Sequence, residues 1–277
     1  MDLHVGNPVV RGALTLFPVF NGGAVRGRGY DLGGGALRVA ERAGTPAVDQ
    51  LVVTNRGPRP ALLTEGELLT GGWQNRVVTR SALVGAGRSA VVAVRCVEAR
   101  RWSGGTEHAR DGERAPVAVR AATADQATVW RRVAGYGAGA TGSFQDAARD
   151  RRARARRLVG DLAPLPFQCG VLAGVAGRPL LLEVFDSPRT LAAAWDGLVA
   201  GTAVDAVGAD PVVTPGHRAR RFVAQLAAVP TAPVSGGGEG TAFAGATATA
   251  RLSSLSWRGR AVVTVATNPA HPLVVAA

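Results

Sequence analysis

Short runs of β-branched and aromatic residues, bounded by glycine, proline or asparagine, dominate the first hundred positions of the chain. Such runs are typical of β-strands, because side chains that branch at Cβ pack well on a pleated surface. The pattern predicts strands at residues 13–20, 50–55, 61–63, 77–84 and 90–98. Gly85 to Arg88 predict a hairpin turn between the last two strands, and the polar residues 103–115 predict a loop.

Helical periodicity begins after this loop. Asp125 predicts the N-cap of a helix that ends near Tyr136, and Ser143, with an acidic residue three positions later, predicts the N-cap of a second helix. This second helix runs to residue 162 and carries many arginines, most of which point outward in a helical projection. Ser187 and Thr214, each followed by proline, predict the starts of two further helices.

The remaining pattern alternates strands with turns. Residues 170–173 and 180–185 predict a second hairpin, residues 230–240 resemble a linker, and two last strands lie around 246–252 and 260–267. We therefore expect an α+β fold with a strand-rich N-terminal half built of hairpins, helices mainly between residues 125 and 230, and a final β-hairpin. Residues 1–277 form either a single domain or two packed lobes, 1–115 mainly β and 116–277 mixed α/β.

Composition narrows the classes of function. The net charge is +12 and all 32 basic residues are arginine, so no lysine is present for a Walker motif, a kinase site or a Schiff base. Arginine binds phosphate and carboxylate in bidentate fashion, which favours a small anionic ligand. A bias toward arginine-coding triplets accounts for part of the charge, and this weakens the case for nucleic acid.

Location and cofactors follow from what the sequence lacks. It contains no run of eighteen apolar residues and no basic-then-apolar leader, so we expect a cytoplasmic protein that does not enter a membrane. Two isolated cysteines and four scattered histidines match no zinc pattern, so we expect reduced thiols and no metal site. The sequence indicates no particular cofactor or oligomeric state.

One segment, residues 63–102, concentrates the candidate chemistry. Glu65 and Glu67 flank Gly66, and in an extended chain their carboxylates project to the same side, where they could share a proton or bind a cation. The alternative is two exposed glutamates at a strand end. Gln74, Asn75 and Arg76 add two carboxamides and a guanidinium in consecutive positions, a set that can satisfy several polar atoms of one ligand.

The same segment ends in a second polar group. Cys96, Glu98, Arg100 and Trp102 alternate along a strand, with Arg101 on the opposite face. His108, in the predicted loop, is the one histidine that we consider for catalysis.

These residues carry a family resemblance. The run GELLTGGWQNR, followed by CVEARRW, resembles the signature of the ARG and Rhodanese-Phosphatase-superfamily-associated Protein domain, a poorly characterised bacterial family in which ARG denotes ADP-ribosylglycohydrolase. The family pattern runs G-E-E-L-x-G-A-K-Q-N-R and C-V-E-Q-G-R-W. The matching positions are Glu67, Gln74, Asn75, Arg76, Cys96, Glu98, Arg101 and Trp102. Gly72 and Trp73 replace the usual alanine and lysine, so any role of that lysine falls to arginine or glutamate here.

Three hypotheses of different classes follow. In the first, the protein binds or processes an ADP-ribose-like or other nucleotide-derived, NAD-related metabolite, and if it is an enzyme it is a hydrolase with a glutamate as general base. The expected catalytic residues are Glu67 and Glu98, the ligand-binding residues Gln74, Asn75, Arg76, Arg101 and Trp102, and the secondary candidates Glu65, Cys96 and His108.

The second hypothesis is a non-catalytic structural or interaction module. Its polar cluster is a buried salt-bridge network, in which Arg76 and Arg101 pair with Glu67 and Glu98. The third is nucleic-acid binding by the arginine-rich helix around residues 149–157.

Overall fold

The computed structural model describes residues 2–24, 29–32, 34–44, 47–99, 104–137 and 143–275. The strands are β1 Leu3–Val5, β2 Val9–Arg11, β3 Leu14–Asn21, β4 Leu37–Ala40, β5 Gln50–Asn55, β6 Ala61–Leu63, β7 Glu67–Gly71, β8 Arg76–Val78, β9 Ala82–Val84, β10 Ser89–Cys96, β11 Glu107–Arg114, β12 Gly170–Val175, β13 Arg178–Phe185, β14 Ala232–Val234, β15 Thr241–Ala246, β16 Arg251–Trp257 and β17 Arg260–Thr267. The α-helices are α1 Val117–Arg120, α2 Gln126–Ala134, α3 Phe144–Ala147, α4 Arg149–Val159, α5 Pro188–Ala203, α6 Gly216–Gln225 and α7 Pro272–Val275. Short 3₁₀ turns follow α5 and α6, at Val204–Ala206 and Leu226–Ala228.

Six strands of the N-terminal half close into a barrel in the order β10-β5-β4-β11-β7-β8. All of its pairings are antiparallel. Its apolar interior is small because the strands are short, and Leu51, Leu69 and Val94 lie in this core. Strands β6 and β9 pair with each other beside the barrel. The expected α+β class with a strand-rich first half is confirmed.

The other strands form an antiparallel sheet in the order β1-β3-β12-β13-β17-β16-β15-β14, with β2 also paired to β3. Successive residues of β13 enter different cores: Leu181 packs on the side of α5, and Leu182 on the side of α6. This alternation follows from the period of two in a strand. Residues 180–182 are all apolar because helices cover both faces of this part of the sheet.

Residues 107–114 were expected to lie in a loop, and this prediction is wrong: they form β11 between β4 and β7. The segment is unusually polar for a strand. Several of its polar side chains face charged partners inside the protein. His108 contacts Glu41, and Arg110 pairs with Glu67. A polar strand is stable in this position because carboxylates from other parts of the chain contact its inward-facing His108, Arg110 and Arg114.

Four local expectations also need correction. The turn at Gly85–Arg88 forms, but the strands on either side of it pair with β6, β5 and β8 and not with each other as a tight hairpin. The helix expected over 143–162 breaks at Ala148 into α3 and α4. Part of the expected linker 230–240 is strand β14, and the N-cap of α6 is Pro215 rather than Thr214.

Helix α5 connects the two sheets. Its residues Gly197 and Gly201 lie directly against β11, and a Cβ atom at Gly197 would come within 1.9 Å of the carbonyl oxygen of Gly112. Only glycine allows this approach, since real Cβ atoms do not come so close to backbone. Helix α5 therefore contacts both the barrel and the open sheet.

Candidate functional site

Four of the predicted site residues meet at one end of the barrel. Asn75 donates from its backbone nitrogen and from Nδ2 to the two carboxylate oxygens of Glu98, at 2.7 and 2.8 Å. Gln74 donates to the Glu98 carbonyl at 3.0 Å and accepts from Arg76 Nη1 at 2.7 Å. All four side chains are buried. The structure thus brings these residues together in the interior, as the spacing of the motif indicated.

Arg76 lies at the centre of this group, completely buried. Its Nη2 is 3.6 Å from Glu41 Oε1, and His108 Nε2 is 3.1 Å from the same oxygen. Burial lowers the pKa of His108, and the opposing effect of the Glu41 carboxylate does not restore it. No pattern in the sequence identified Glu41, which follows β4 and lies 35 positions before Arg76. We call Glu41, Gln74, Asn75, Arg76, Glu98 and His108 the barrel cluster.

The departure of Gly72 from the family pattern has a local structural basis. Gly72 has a positive φ of +56°, and a Cβ atom there would lie 2.2 Å from His108 Nε2. The imidazole of His108 therefore fills the space where the pattern has an alanine side chain.

Glu65 and Glu67, which were expected to form a pair, meet different partners. Gly66 has a φ of +82° and turns the chain, with Glu67 donating its backbone N–H to the Thr64 carbonyl. Glu67 pairs with Arg110 at 2.7 Å. Glu65 instead accepts a hydrogen bond from Ser253 on β16. The premise of an extended chain was wrong here, so the carboxylates do not project together.

The structure describes only some of the other predicted site residues. Cys96 is buried, its thiol bonds to the Glu98 carbonyl at 3.0 Å, and burial raises its thiol pKa. The two cysteines are free thiols. Arg101 and Trp102 lie outside the described residues, as does Arg100. Among the described residues, no group of three histidine, cysteine, aspartate or glutamate side chains could hold a metal ion.

A cleft of about 650 Å³ opens between the barrel and the open sheet. Its walls come from the edges of the barrel, the residues that follow α1, and strands β15 to β17. The charged residues that line it are Asp49, Glu65, Arg80, Arg95, Arg120 and Arg251. We call it the arginine cleft. None of the barrel-cluster residues lines it, so the structure separates the Gln74, Asn75, Arg76 motif from the arginine cleft.

One residue that lines the arginine cleft, Arg120, belongs to a buried group of three charged side chains. Arg114 and Arg120 each donate to one carboxylate oxygen of Glu183, at 3.1 and 2.8 Å. Burial alone would raise the pKa of Glu183, but the two guanidinium groups outweigh it and hold the pKa below its usual value. Glycine at position 66 makes room for this arrangement, because a Cβ atom there would lie 2.4 Å from Arg120 Nε.

The arginines of the cleft have unused donors. Among the described residues, the side chains of Arg80, Arg95 and Arg251 donate only to backbone carbonyls, of Ser235, Val94 and Ala121. The Nε atoms of Arg95 and Arg120 are buried and have no hydrogen-bond partner. Because the chain covers these two Nε atoms, the donors that can meet an acceptor from outside are the other N–H groups of Arg80, Arg95 and Arg251.

Glu65 adds a carboxylate, which is a hydrogen-bond acceptor, to the lining of the same cleft. Ser253 donates to its Oε2, and no described residue donates to its Oε1. Burial raises the pKa of Glu65, although Arg120 and Ser253 act in the other direction. Arg114 also donates to the Glu65 carbonyl, which holds the backbone in place. The arginine cleft therefore combines guanidinium donors with one carboxylate acceptor.

Replacing Glu65 with glutamine is expected to raise the melting temperature at about pH 8 and to leave it unchanged at about pH 4. A carboxyl group with a raised folded-state pKa binds its proton more tightly when folded. Its ionisation therefore costs stability as pH rises from the unfolded pKa through the folded pKa. Thermal unfolding at both pH values measures this. The exposed Glu107→Gln serves as the matched control, and a lower melting temperature of Glu65→Gln at the higher pH would contradict the prediction.

The fold and the site define an α+β protein with a closed barrel, an open antiparallel sheet and a polar cleft between them. The chain belongs to the ARG and Rhodanese-Phosphatase-superfamily-associated Protein domain family, whose model matches residues 2–267. The expected membership is confirmed, and the family is uncharacterised. No curated protein and no solved structure matches the chain. None of the described helices is long and apolar enough to cross a membrane.

Proposed function

We propose that this protein binds a small anionic, nucleotide-derived metabolite of the ADP-ribose type in the arginine cleft. The observation that carries the proposal is a concave space lined by four arginines, three of which have no carboxylate partner among the described residues. Its volume of about 650 Å³ lies within the range of about 300–1,000 Å³ that is usual for ligand sites. Guanidinium groups recognise phosphate through parallel hydrogen bonds, which favours a phosphate-bearing ligand.

A second cavity, of about 400 Å³, is less suited to an anion. It lies between β11, α4 and α5, and its arginines Arg152 and Arg156 both pair with Glu113. Both guanidinium groups are therefore already engaged by a carboxylate of the same chain, and Asp111 and Asp196 add negative charge to the lining of this cavity. The arginine cleft differs because Arg80, Arg95 and Arg251 have no carboxylate partner among the described residues.

The barrel cluster fits the second hypothesis better than the first. Its members are buried, and hydrogen bonds or ionic contacts join each of them to another member. Glu41 Oε2, Arg76 Nε and His108 Nδ1 have no partner among the described residues, but these atoms are covered by the chain. The partners differ from those expected, since Arg76 contacts Gln74 and Glu41 and not Glu67. We therefore propose that the cluster is a framework for the fold, and that binding takes place at the cleft.

Nucleic-acid binding by α4 stays a hypothesis without a specific observation in its favour. Arg149 pairs with Asp146, and Arg152 and Arg156 pair with Glu113. Arg151 packs over the ring of Tyr136. Much of the helix charge is thus engaged within the chain.

Thermal shift assays with ADP-ribose, NAD, AMP and inorganic diphosphate test the proposed function. We expect at least one of these anions to raise the melting temperature. At a concentration one hundred times its Kd, it should stabilise the folded protein by about 2.7 kcal/mol. Arg95→Gln and Arg251→Gln are expected to weaken binding about tenfold or more each, because each removes a charge-assisted contact.

The matched control is Arg154→Gln, which removes one exposed arginine of α4 far from the cleft lining. It should bind as the unmodified protein does. If none of the four anions shifts the melting temperature, or if Arg154→Gln weakens binding as much as the cleft variants, the proposed function is wrong.

A further inference from the structure

We propose that the arginine cleft selects a phosphorylated sugar with a free vicinal diol, and that the diol binds at Glu65 and Ser253. This inference rests on the proposed function and specifies the class of ligand. Its basis is the position of the Glu65–Ser253 pair in a cleft whose remaining charged groups are mostly arginines.

The Glu65–Ser253 pair is a set of free acceptors. Ser253 uses its single hydroxyl proton on Glu65 Oε2, so the serine oxygen keeps its lone pairs for an incoming donor. Glu65 Oε1 receives no hydrogen bond from any described residue. The two adjacent hydroxyls of a sugar are both donors, and a carboxylate that accepts from ribose hydroxyls is a recurrent means of recognising nucleotides. The pair therefore complements a diol and not a phosphate.

Electrostatics then orient the ligand. A phosphate placed against Glu65 would meet a like charge, whereas Arg80, Arg95 and Arg251 have free donors elsewhere in the same cleft. Arg251 and Ser253 are alternate residues of β16, so their Cα atoms lie about 7 Å apart on one face of the strand. One strand thus presents a phosphate-binding group and a diol-binding group side by side.

The local backbone holds Glu65 in this position. The left-handed turn at Gly66 directs Glu65 and Glu67 to different partners, and Arg114 bonds to the Glu65 carbonyl. Arg120, whose Nη2 is engaged by Glu183, lies close enough to attract the Glu65 carboxylate without forming an ion pair that would occupy it. The acceptor is consequently fixed before a ligand arrives, which reduces the entropic cost of binding.

Titration calorimetry with ribose 5-phosphate, 2-deoxyribose 5-phosphate and inorganic diphosphate tests the inference on the full chain. We expect ribose 5-phosphate to bind about tenfold to a hundredfold more tightly than the 2-deoxy sugar, the range for a hydrogen bond to a charged group. In Glu65→Gln this preference should fall to about twofold or less, while the affinity for diphosphate does not decrease. Ser253→Ala should reduce the preference in part. Glu107→Gln, an exposed glutamate outside the cleft, should behave as the unmodified protein.

The outcomes separate the inference from the function on which it rests. If diphosphate and both sugar phosphates fail to bind, the proposed anion site is itself wrong. If all three bind but the two sugars do so equally, the diol inference is wrong and the anion site stands. A sugar preference that persists in Glu65→Gln also overturns the inference, because the diol is then recognised elsewhere. Circular dichroism of each variant checks that it is folded.

Discussion

Replacement of Arg76 with alanine is expected to lower the free energy of unfolding by about 3–5 kcal/mol, the usual cost of removing one partner from a buried ionic group. The guanidinium is fully buried between Gln74 and Glu41. Its loss leaves Glu41 in the interior with His108 as its neighbouring base among the described residues, and burial already lowers the pKa of that histidine. It also leaves a cavity at the end of the barrel, which adds to the cost.

Urea unfolding followed by circular dichroism measures this change. Arg154→Ala is the control, since an exposed arginine should contribute about 0.5 kcal/mol or less. If Arg76→Ala unfolds with nearly the same midpoint as the control, the barrel cluster is not a framework. If Arg76→Ala keeps its stability but loses anion binding, Arg76 is a ligand-binding residue, as the first hypothesis expected.

The second large effect is expected at Glu183. Glu183→Ala removes the carboxylate with which the buried Arg114 and Arg120 both pair, and we expect a loss of about 3–5 kcal/mol in the free energy of unfolding. The pKa of Glu183 is lowered in the folded protein. Its contribution is thus fully present above the unfolded-state pKa and disappears as pH falls through the folded-state pKa. The difference between the two proteins should accordingly shrink in acid.

Denaturant unfolding at neutral and acid pH tests both parts of this prediction. The triple variant Arg114→Met, Glu183→Leu, Arg120→Met is an informative companion, because apolar replacement of a whole buried ionic group often restores stability. We expect it to be more stable than Glu183→Ala. A Glu183→Ala protein as stable as the unmodified one would show that this buried ionic group is not required for folding.

The fold class and several elements could be predicted from local patterns alone. Asp125, Ser143 and Ser187 each accept a hydrogen bond from a backbone N–H in the first turn of the helix that follows. Such caps involve residues two or three positions apart, so the sequence contains the whole interaction. The hairpin of β12 and β13 was predictable for the same reason.

Strand β11 could not be predicted in this way. Its residues His108, Arg110 and Arg114 are polar, and they become buried only because Glu41, Glu67 and Glu183 come from distant parts of the chain. A single segment does not reveal whether its polar side chains will meet water or a charged partner. Propensity then favours a loop, and tertiary contacts override it.

Part of the candidate site was predictable from local spacing, and part of it was not. The proximity of Gln74, Asn75 and Arg76 to Glu98 was implied by strand spacing, and the pairing of β8 with β10 realises it. The location of the cleft was not implied, because Arg80, Arg95, Arg120 and Arg251 are widely separated in sequence and belong to no motif. Glu65 was a secondary candidate in a supposed acidic pair, and the turn at Gly66 gives it a different environment from Glu67.

By itself the sequence determined the family, the α+β class, the helix caps and the set of residue types that are available for chemistry. These depend on interactions between near neighbours or on direct similarity of residues in order. Only the tertiary structure decided which carboxylate meets which arginine and which polar groups have no partner. Such pairings join distant residues, 188 positions apart for Glu65 and Ser253, and their energies depend on burial, which no local pattern specifies.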